Sequence, residues 1–268
     1  MKKIAIIGCG AIGSEIARAI DSGTIEAELV ALYDIVKEKC VALCTELKRV
    51  KPLIVGSIDE LLATKPDIVV EAASPEAVKE YAEKVLESGC DLVVLSIGAL
   101  MDREFLSRIE YLAKSKGRRI YIPSGAIAGI DAIKALKIVG IEKIVLRTRK
   151  NPRALKFSNG RQLKNITSPT TVFRGPASEA VKLLPLNVNV SATLSIASGH
   201  DIEVEVIADP TVDRNVHEIE VVSKASRIVI RLENVPSPTN PRTSYLAALS
   251  VIELLRRLAS SGGIEIGT

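Results

Sequence analysis

Three glycines at residues 8, 10 and 13 follow the apolar run Lys3–Ile7, a spacing that can hold a pyrophosphate. Gly8 and Gly10 allow a tight turn and close backbone approach, and Gly13 allows a helix to pack hard on the strand before it. Ala11 and Ile12 lie between them, where a helix would begin and aim its N–H groups at phosphate oxygens. Asp34 ends the next apolar run, 34 − 13 = 21 positions past the third glycine. A carboxylate there can accept both ribose hydroxyls of an adenosine half. It would repel a 2′-phosphate, but Lys37 and Lys39 stand close enough in sequence to screen that repulsion. The cofactor expected is therefore NAD or NADP.

Two further small-residue turns, EAASPEAV with Ala73 and Ser74, and LSIGAL, end later strand-like runs. Open parallel sheets gather their ligands at such turns. In the second half, IPSGAIAGIDAI sets Gly125 and Gly129 around Ala126, which makes the segment either a hinge or bare backbone beside a nicotinamide. LPLNVNVSATLSIASG carries Asn187 and Asn189 ahead of a small-residue helix. One of them suits an N-cap, and the other is left for a cofactor carboxamide or a substrate.

Of the two histidines, His217 shares one face of an alternating strand with Ile219 and Val221, so if those apolar residues point inward its imidazole does too. It is either a satisfied core residue or a working acid/base. His200, in SGHD, reads as an exposed turn residue. Arg147, Arg149 and Lys150 form a basic cluster that could meet carboxylates, but LRTRKN reads first as a solvated strand end.

These groups need a scaffold. Residues 1 to about 122 alternate short apolar runs with helix-period segments, which predicts a doubly wound parallel sheet of the Rossmann type. The later strands DIEVEVIAD and RIVIRLE alternate apolar with charged residues, as in an open antiparallel sheet with helices on one face. The expectation is an α/β dinucleotide-binding domain over 1–122 and an α+β domain over 123–241 for substrate and dimerisation. The final segment 242–268, helical from about 242 to 260, should return to the first domain. Its apolar residues Leu246, Val251 and Leu254 lie on more than one face, which suggests a homodimer.

Composition narrows the function classes. The chain of 268 residues is 47% hydrophobic and 25% charged, which excludes disorder. A net charge of +4 and 3% aromatic residues without tryptophan argue against nucleic acid as a partner. No apolar stretch reaches the ~18 residues of a membrane span. The opening MKKIAIIG imitates a secretory signal, yet Glu15 and Arg18 continue an amphipathic helix in place of a cleavage site. Four cysteines without CxxC spacing suggest neither zinc nor a disulfide framework, and a cytoplasmic location fits. Cys40 and Cys44, one helical turn apart, read as small apolar packing.

Taken together, GCGAIG, EAASPEAVKEYA, VVLSIGAL, YIPSGAIAG, LRTRKNP, LPLNVNVSATLSIASG, RNVHEIEV and NPRTSYLAALS resemble the L-aspartate dehydrogenase family over nearly the whole chain. The match is weakest over 36–60. The resemblance implies oxidation of L-aspartate to iminoaspartate with NAD or NADP. The imine then hydrolyses to oxaloacetate and ammonia or passes to a quinolinate synthase for NAD biosynthesis. It also implies a catalytic role for His217 and cofactor contacts at Ala126 and Asn189, with Asn187 a neighbouring alternative on the substrate side. The competing readings are another two-domain reductase, homoserine-dehydrogenase-like or dihydrodipicolinate-reductase-like, and a non-catalytic NAD-binding sensor.

Overall fold

A computed structural model of the chain describes every residue except 161, 162, 164, 185–188, 238–242, 261, 263 and 265–268. Asn187 thus lies outside the described residues. The chain divides into two compact units, with Met1–Pro123 and Ala248–Ile264 in the first and Ser124–Ala247 in the second.

The first unit runs β1 (Lys2–Ile7), α1 (Ala11–Asp21), β2 (Ala27–Tyr33), α2 (Lys37–Glu46), β3 (Leu53–Ile54), α3 (Ile58–Ala63), β4 (Ile68–Glu71), α4 (Pro75–Glu87), β5 (Asp91–Val94), α5 (Arg103–Lys116) and β6 (Ile120–Tyr121). Its six strands are parallel, in the order β3-β2-β1-β4-β5-β6. The central strands β1 and β4 are buried along Ile4–Ile7 and Ile68–Glu71, which is why they read as unbroken apolar runs. Strand order reverses between β1 and β4, and a crevice opens at their C-terminal ends.

The second unit runs α6 (Ile130–Lys137), β7 (Ile141–Lys150), β8 (Thr170–Pro176), α7 (Ala177–Leu183), α8 (Asn189–Ser198), β9 (Glu203–Ala208), β10 (Asn215–Ser223) and β11 (Arg227–Asn234). The five strands lie in the order β11-β10-β7-β9-β8. Here the expectation of an antiparallel sheet needs correction, because β7 and β9 pair in parallel, Val145 with Glu203 through Lys150 with Ala208. The α7 and α8 segments that carry the chain from β8 to β9 come between these strands in sequence, and one-sided alternation cannot reveal the direction of a neighbour.

Alternation does fix the faces. Ile202, Val204, Val206 and Ala208 are buried, as are His217, Ile219 and Val221. The opposite face carries ion pairs across strands: Arg147 with Glu205, Lys143 and Arg227 with Glu220, and Arg231 with Glu218.

The last helix, α9 (Tyr245–Ala259), belongs to the first unit from Ala248 onward. Val251 and Leu255 are wholly buried in the cluster that includes Ile4, Ile16, Ile20 and Leu32. No described helix is long and apolar enough to cross a membrane.

Candidate active site

The crevice of the first unit is built from its turns. Gly8 leaves β1 with φ +98, and a Cβ there would stand 2.6 Å from the Ala72 carbonyl oxygen. A Cβ on Gly13 would overlap the Gly8 carbonyl oxygen, so only glycine lets α1 start this close to β1. Gly10 differs, for a Cβ there would meet nothing within 4 Å. It is the N-cap of α1, and no side chain caps that helix. Ala11 and Ile12 follow in its first turn, half-buried. Open space at an uncapped helix N-terminus on a glycine backbone fits a pyrophosphate.

Asp34 stands at the rim. One carboxylate oxygen accepts the Cys9 N–H at 2.8 Å, the other accepts the Val36 N–H at 2.8 Å, and the Lys39 ammonium lies 3.6 Å away. These bonds tie the glycine turn to the end of β2. The cavity, about 260 Å³, is lined by Gly8, Gly10, Asp34, Ala73, Ser74 and Tyr81 among others. Ser74 caps α4 by accepting the Ala77 N–H at 3.3 Å. Tyr81 meets Tyr33 hydroxyl to hydroxyl at 3.2 Å.

Behind this rim lies Glu71, which the sequence reading passed over. It is 1% exposed, at the end of β4, and accepts from Ala73 N (2.8 Å), Ser96 N (3.0 Å) and Ser96 Oγ (2.8 Å). Burial pushes its carboxyl up while these donors pull it down, and burial prevails. One side chain thus joins the ends of β4 and β5.

In the second unit, His217 on β10 is 2% exposed, and its Nδ1 lies 3.0 Å from Thr148 Oγ1 on β7. The two residues are register partners, so their side chains share one face of the sheet, and both are buried. Lys150, two positions along β7, points to the same side and is 7% exposed. Burial, and then the Lys150 charge, push His217 down to about 3, so the imidazole is neutral at ordinary pH. A value near 6.5, the natural expectation for a histidine base, does not survive this environment. Burial also pushes Lys150 down to about 8, which leaves it mostly ammonium at neutral pH.

The expectation that Arg147, Arg149 and Lys150 form a solvated strand end fails for Lys150. Arg147 and Arg149 pair with Glu205 and Asp209 on the other side of the strand, whereas Lys150 is enclosed.

The remaining predicted residues also sit in this unit. Gly125 and Gly129 both have positive φ, and Gly129 is the N-cap of α6. Between them Ala126 is buried, and its carbonyl accepts the Asn234 Nδ2–H at 2.8 Å. Asn234 ends β11, and the sequence reading had not singled it out. Asn189 is exposed at the first position of α8, where its carbonyl accepts the Thr193 hydroxyl at 2.9 Å. His200 is exposed in the turn after α8.

A Rossmann-type sheet with this glycine turn, joined to a mixed-sheet unit with a buried histidine, defines a dinucleotide-binding oxidoreductase of two units. Family models agree with that class. Residues 8–123 match the homoserine dehydrogenase NAD-binding domain, and residues 131–258 match the aspartate dehydrogenase C-terminal domain. The chain is 47% identical to an L-aspartate dehydrogenase of Methanosarcina barkeri and 45% identical to one of Methanosarcina mazei, over the full length of each protein. A crystal structure of aspartate dehydrogenase from Thermotoga maritima, 29% identical, superposes with a TM-score of 0.76 over 99% of this chain and 100% of that one. The chain belongs to the L-aspartate dehydrogenase family.

Proposed function

We propose that the protein oxidises L-aspartate at Cα to iminoaspartate with NAD or NADP, and that His217 is the catalytic base. What carries the reading is the His217 imidazole, oriented by Thr148, in a chain that matches L-aspartate dehydrogenases from end to end.

A nicotinamide cofactor held at this glycine turn would supply the acceptor for the hydride that leaves Cα. For that hydride to leave, the nitrogen must offer its lone pair, so an ammonium substrate must first lose a proton. In the tautomer whose Nδ1–H donates to Thr148 Oγ1, the His217 Nε2 lone pair is free to take it. General base catalysis is worth about 10²–10⁴-fold for a base that titrates near the working pH, so His217 must regain basicity when the substrate is in place. The same nitrogen, once protonated, can assist water as the imine hydrolyses to oxaloacetate and ammonia.

The cofactor side of the proposal rests on Gly8, Gly10, Ala11, Ile12 and Gly13 for the pyrophosphate, and on Asp34 for the ribose. Ala73 and Ser74 border the same cavity. Ala126 offers a buried backbone turn to the nicotinamide half, and Asn189 an exposed amide. Asn187 is kept as a substrate contact from the sequence. Lys39 beside Asp34 gives a 2′-phosphate some relief, which keeps NADP in the proposal.

In this reading 1–122 is the dinucleotide-binding domain, completed by the terminal helix, and 123–241 is the substrate and dimerisation domain. The enzyme is a cytoplasmic homodimer that feeds NAD biosynthesis by passing iminoaspartate to a quinolinate synthase. Tyr245 and Leu249, exposed on α9, support a second copy. Light scattering at micromolar protein should give twice the chain mass, and a monomer mass removes the dimer from the proposal.

The activity is tested by following reduced nicotinamide absorbance with L-aspartate plus NAD or NADP, and in reverse with oxaloacetate, ammonium and reduced cofactor. Absence of turnover both ways, with cofactor binding intact, would overturn the assignment.

A further inference from the structure

We infer that Lys150 is the cationic anchor for a carboxylate of the dicarboxylic substrate, set beside His217 on the same sheet face. The inference rests on the proposed aspartate oxidation and adds to it the group that selects an acidic substrate.

The argument begins with an imbalance of charge. An ammonium out of water is costly unless an anion compensates it. The neighbouring cations of β7 all have that compensation: Lys143 pairs with Glu220, Arg147 with Glu205 and Arg149 with Asp209. Lys150 is the most enclosed of the four, and among the described residues its ammonium forms no ion pair, burial being the one cause that lowers its basicity.

Strand geometry explains why. Odd-numbered residues of β7 after Val145 point to the ion-paired face, while Thr148 and Lys150 point to the other, buried one. Across the sheet, Lys150 has Ala208 as its register partner on β9. The buried polar groups that continue its face, Thr148, His217 and Asn215, carry no negative charge. Asp209 follows Ala208 but turns its carboxylate to Arg149 and Thr211. The protein thus buries a positive charge against neutral neighbours, two strand positions from a base, and leaves the anion to come from elsewhere.

A substrate carboxylate would supply it and would act on the base as well. The Lys150 charge is the second cause, after burial, of the depressed basicity of His217. A carboxylate on Lys150 cancels that repulsion, so the imidazole gains basicity when a dicarboxylate is in place and not before.

The probe is succinate, which has both carboxylates and no amine to oxidise. Its affinity is measured by calorimetry with saturating NAD, alongside initial rates with L-aspartate, for wild type, Lys150→Met and Lys150→Arg. Methionine keeps the length and apolar stem and removes a buried charge, so its thermal midpoint should equal or exceed that of wild type. The expected result is a loss of about 100-fold in succinate affinity and a matching rise in the KM for aspartate, with NAD affinity unchanged and partial recovery in the arginine variant.

Succinate affinity unchanged in Lys150→Met would overturn the inference even if kcat fell. Should that variant fail to fold, an arginine variant with no more succinate affinity than for acetate would do the same. Wild type that oxidises aspartate while Lys150→Met keeps its succinate affinity sinks the anchor alone, whereas wild type that neither binds succinate nor oxidises aspartate sinks the activity on which it rests.

Discussion

Thr148 and His217 face each other on adjacent antiparallel strands, with 3.0 Å between Oγ1 and Nδ1 and no exposed surface of consequence on either. A single hydroxyl thus fixes the ring plane of the histidine. Thr148→Val keeps the shape and removes that hydroxyl. It should lower kcat by about 10–100-fold and cost about 1–3 kcal/mol, the usual penalty for a buried polar atom without its partner. Thr148→Ser should recover most of both. Steady-state rates and urea melts measure the pair, and a valine variant with wild-type kcat would show that the bond does not serve catalysis.

Replacing His217 itself should abolish turnover more fully than cofactor binding. For His217→Ala we expect a kcat lower by about 10²–10⁴-fold, with NADH affinity by fluorescence within a factor of a few. Equal loss of both would make the residue a structural one.

The depressed value of His217 has a signature in stability. Its folded value, about 3, lies below the ordinary 6.5, so between these pH values the unfolded chain takes up a proton that the folded chain refuses. Stability is therefore full above the ordinary histidine value and falls as pH drops toward 3, by about 1.4 kcal/mol for each pH unit crossed. Carboxylates add their own slopes in the same window. The difference between wild type and His217→Gln isolates the histidine, and identical slopes from pH 6.5 to 4.5 would count against its burial as neutral imidazole.

Gly10 and Gly13 should respond oppositely to the same methyl group. Gly13→Ala places a carbon on the Gly8 carbonyl oxygen, and the helix must move off the strand, at a cost of about 3 kcal/mol. Gly10→Ala meets open space in the protein, so its thermal midpoint should match wild type while NAD affinity drops at least about 10-fold. Wild-type NAD affinity in Gly10→Ala would place the phosphates elsewhere.

Glu71 joins the turns after β4 and β5 through donors on Ala73 and Ser96. Glu71→Gln turns one acceptor oxygen into a donor that faces N–H groups. A loss of about 2 kcal/mol and weaker NAD binding are expected, read by thermal melts and calorimetry. A neutral effect on both would mean that the two turns hold without this brace.

Much of this was visible in the residues themselves. β1, β2, β4 and β5 announce themselves because both faces of a central parallel strand are covered, and α4 because its apolar positions repeat every turn. The run from α2 to α3 was faint for a physical reason: α2 buries only Cys40 and Leu43, too little to impress a period on the sequence. Glu71 was missed because a buried glutamate at a strand end looks like any charged turn residue until its donors are seen. Lys150 was named only with Arg147 and Arg149 as one basic cluster, although alternation in LRTRK already separates Thr148 and Lys150 from the two arginines. What alternation alone cannot supply is that the face with Thr148 and Lys150, one polar and one charged, is the buried one.

The return of α9 to the first unit sets an order on the making of the protein. Val251 and Leu255 fill a core whose other walls, β1, β2 and α1, leave the ribosome first. A nascent chain that has reached β11 therefore still lacks the Val251 and Leu255 side of the core that β1, β2 and α1 share. Synthesis of the second unit is the interval during which the first is exposed to chaperones and proteases, so truncation within α9 should be felt at the opposite end of the sequence.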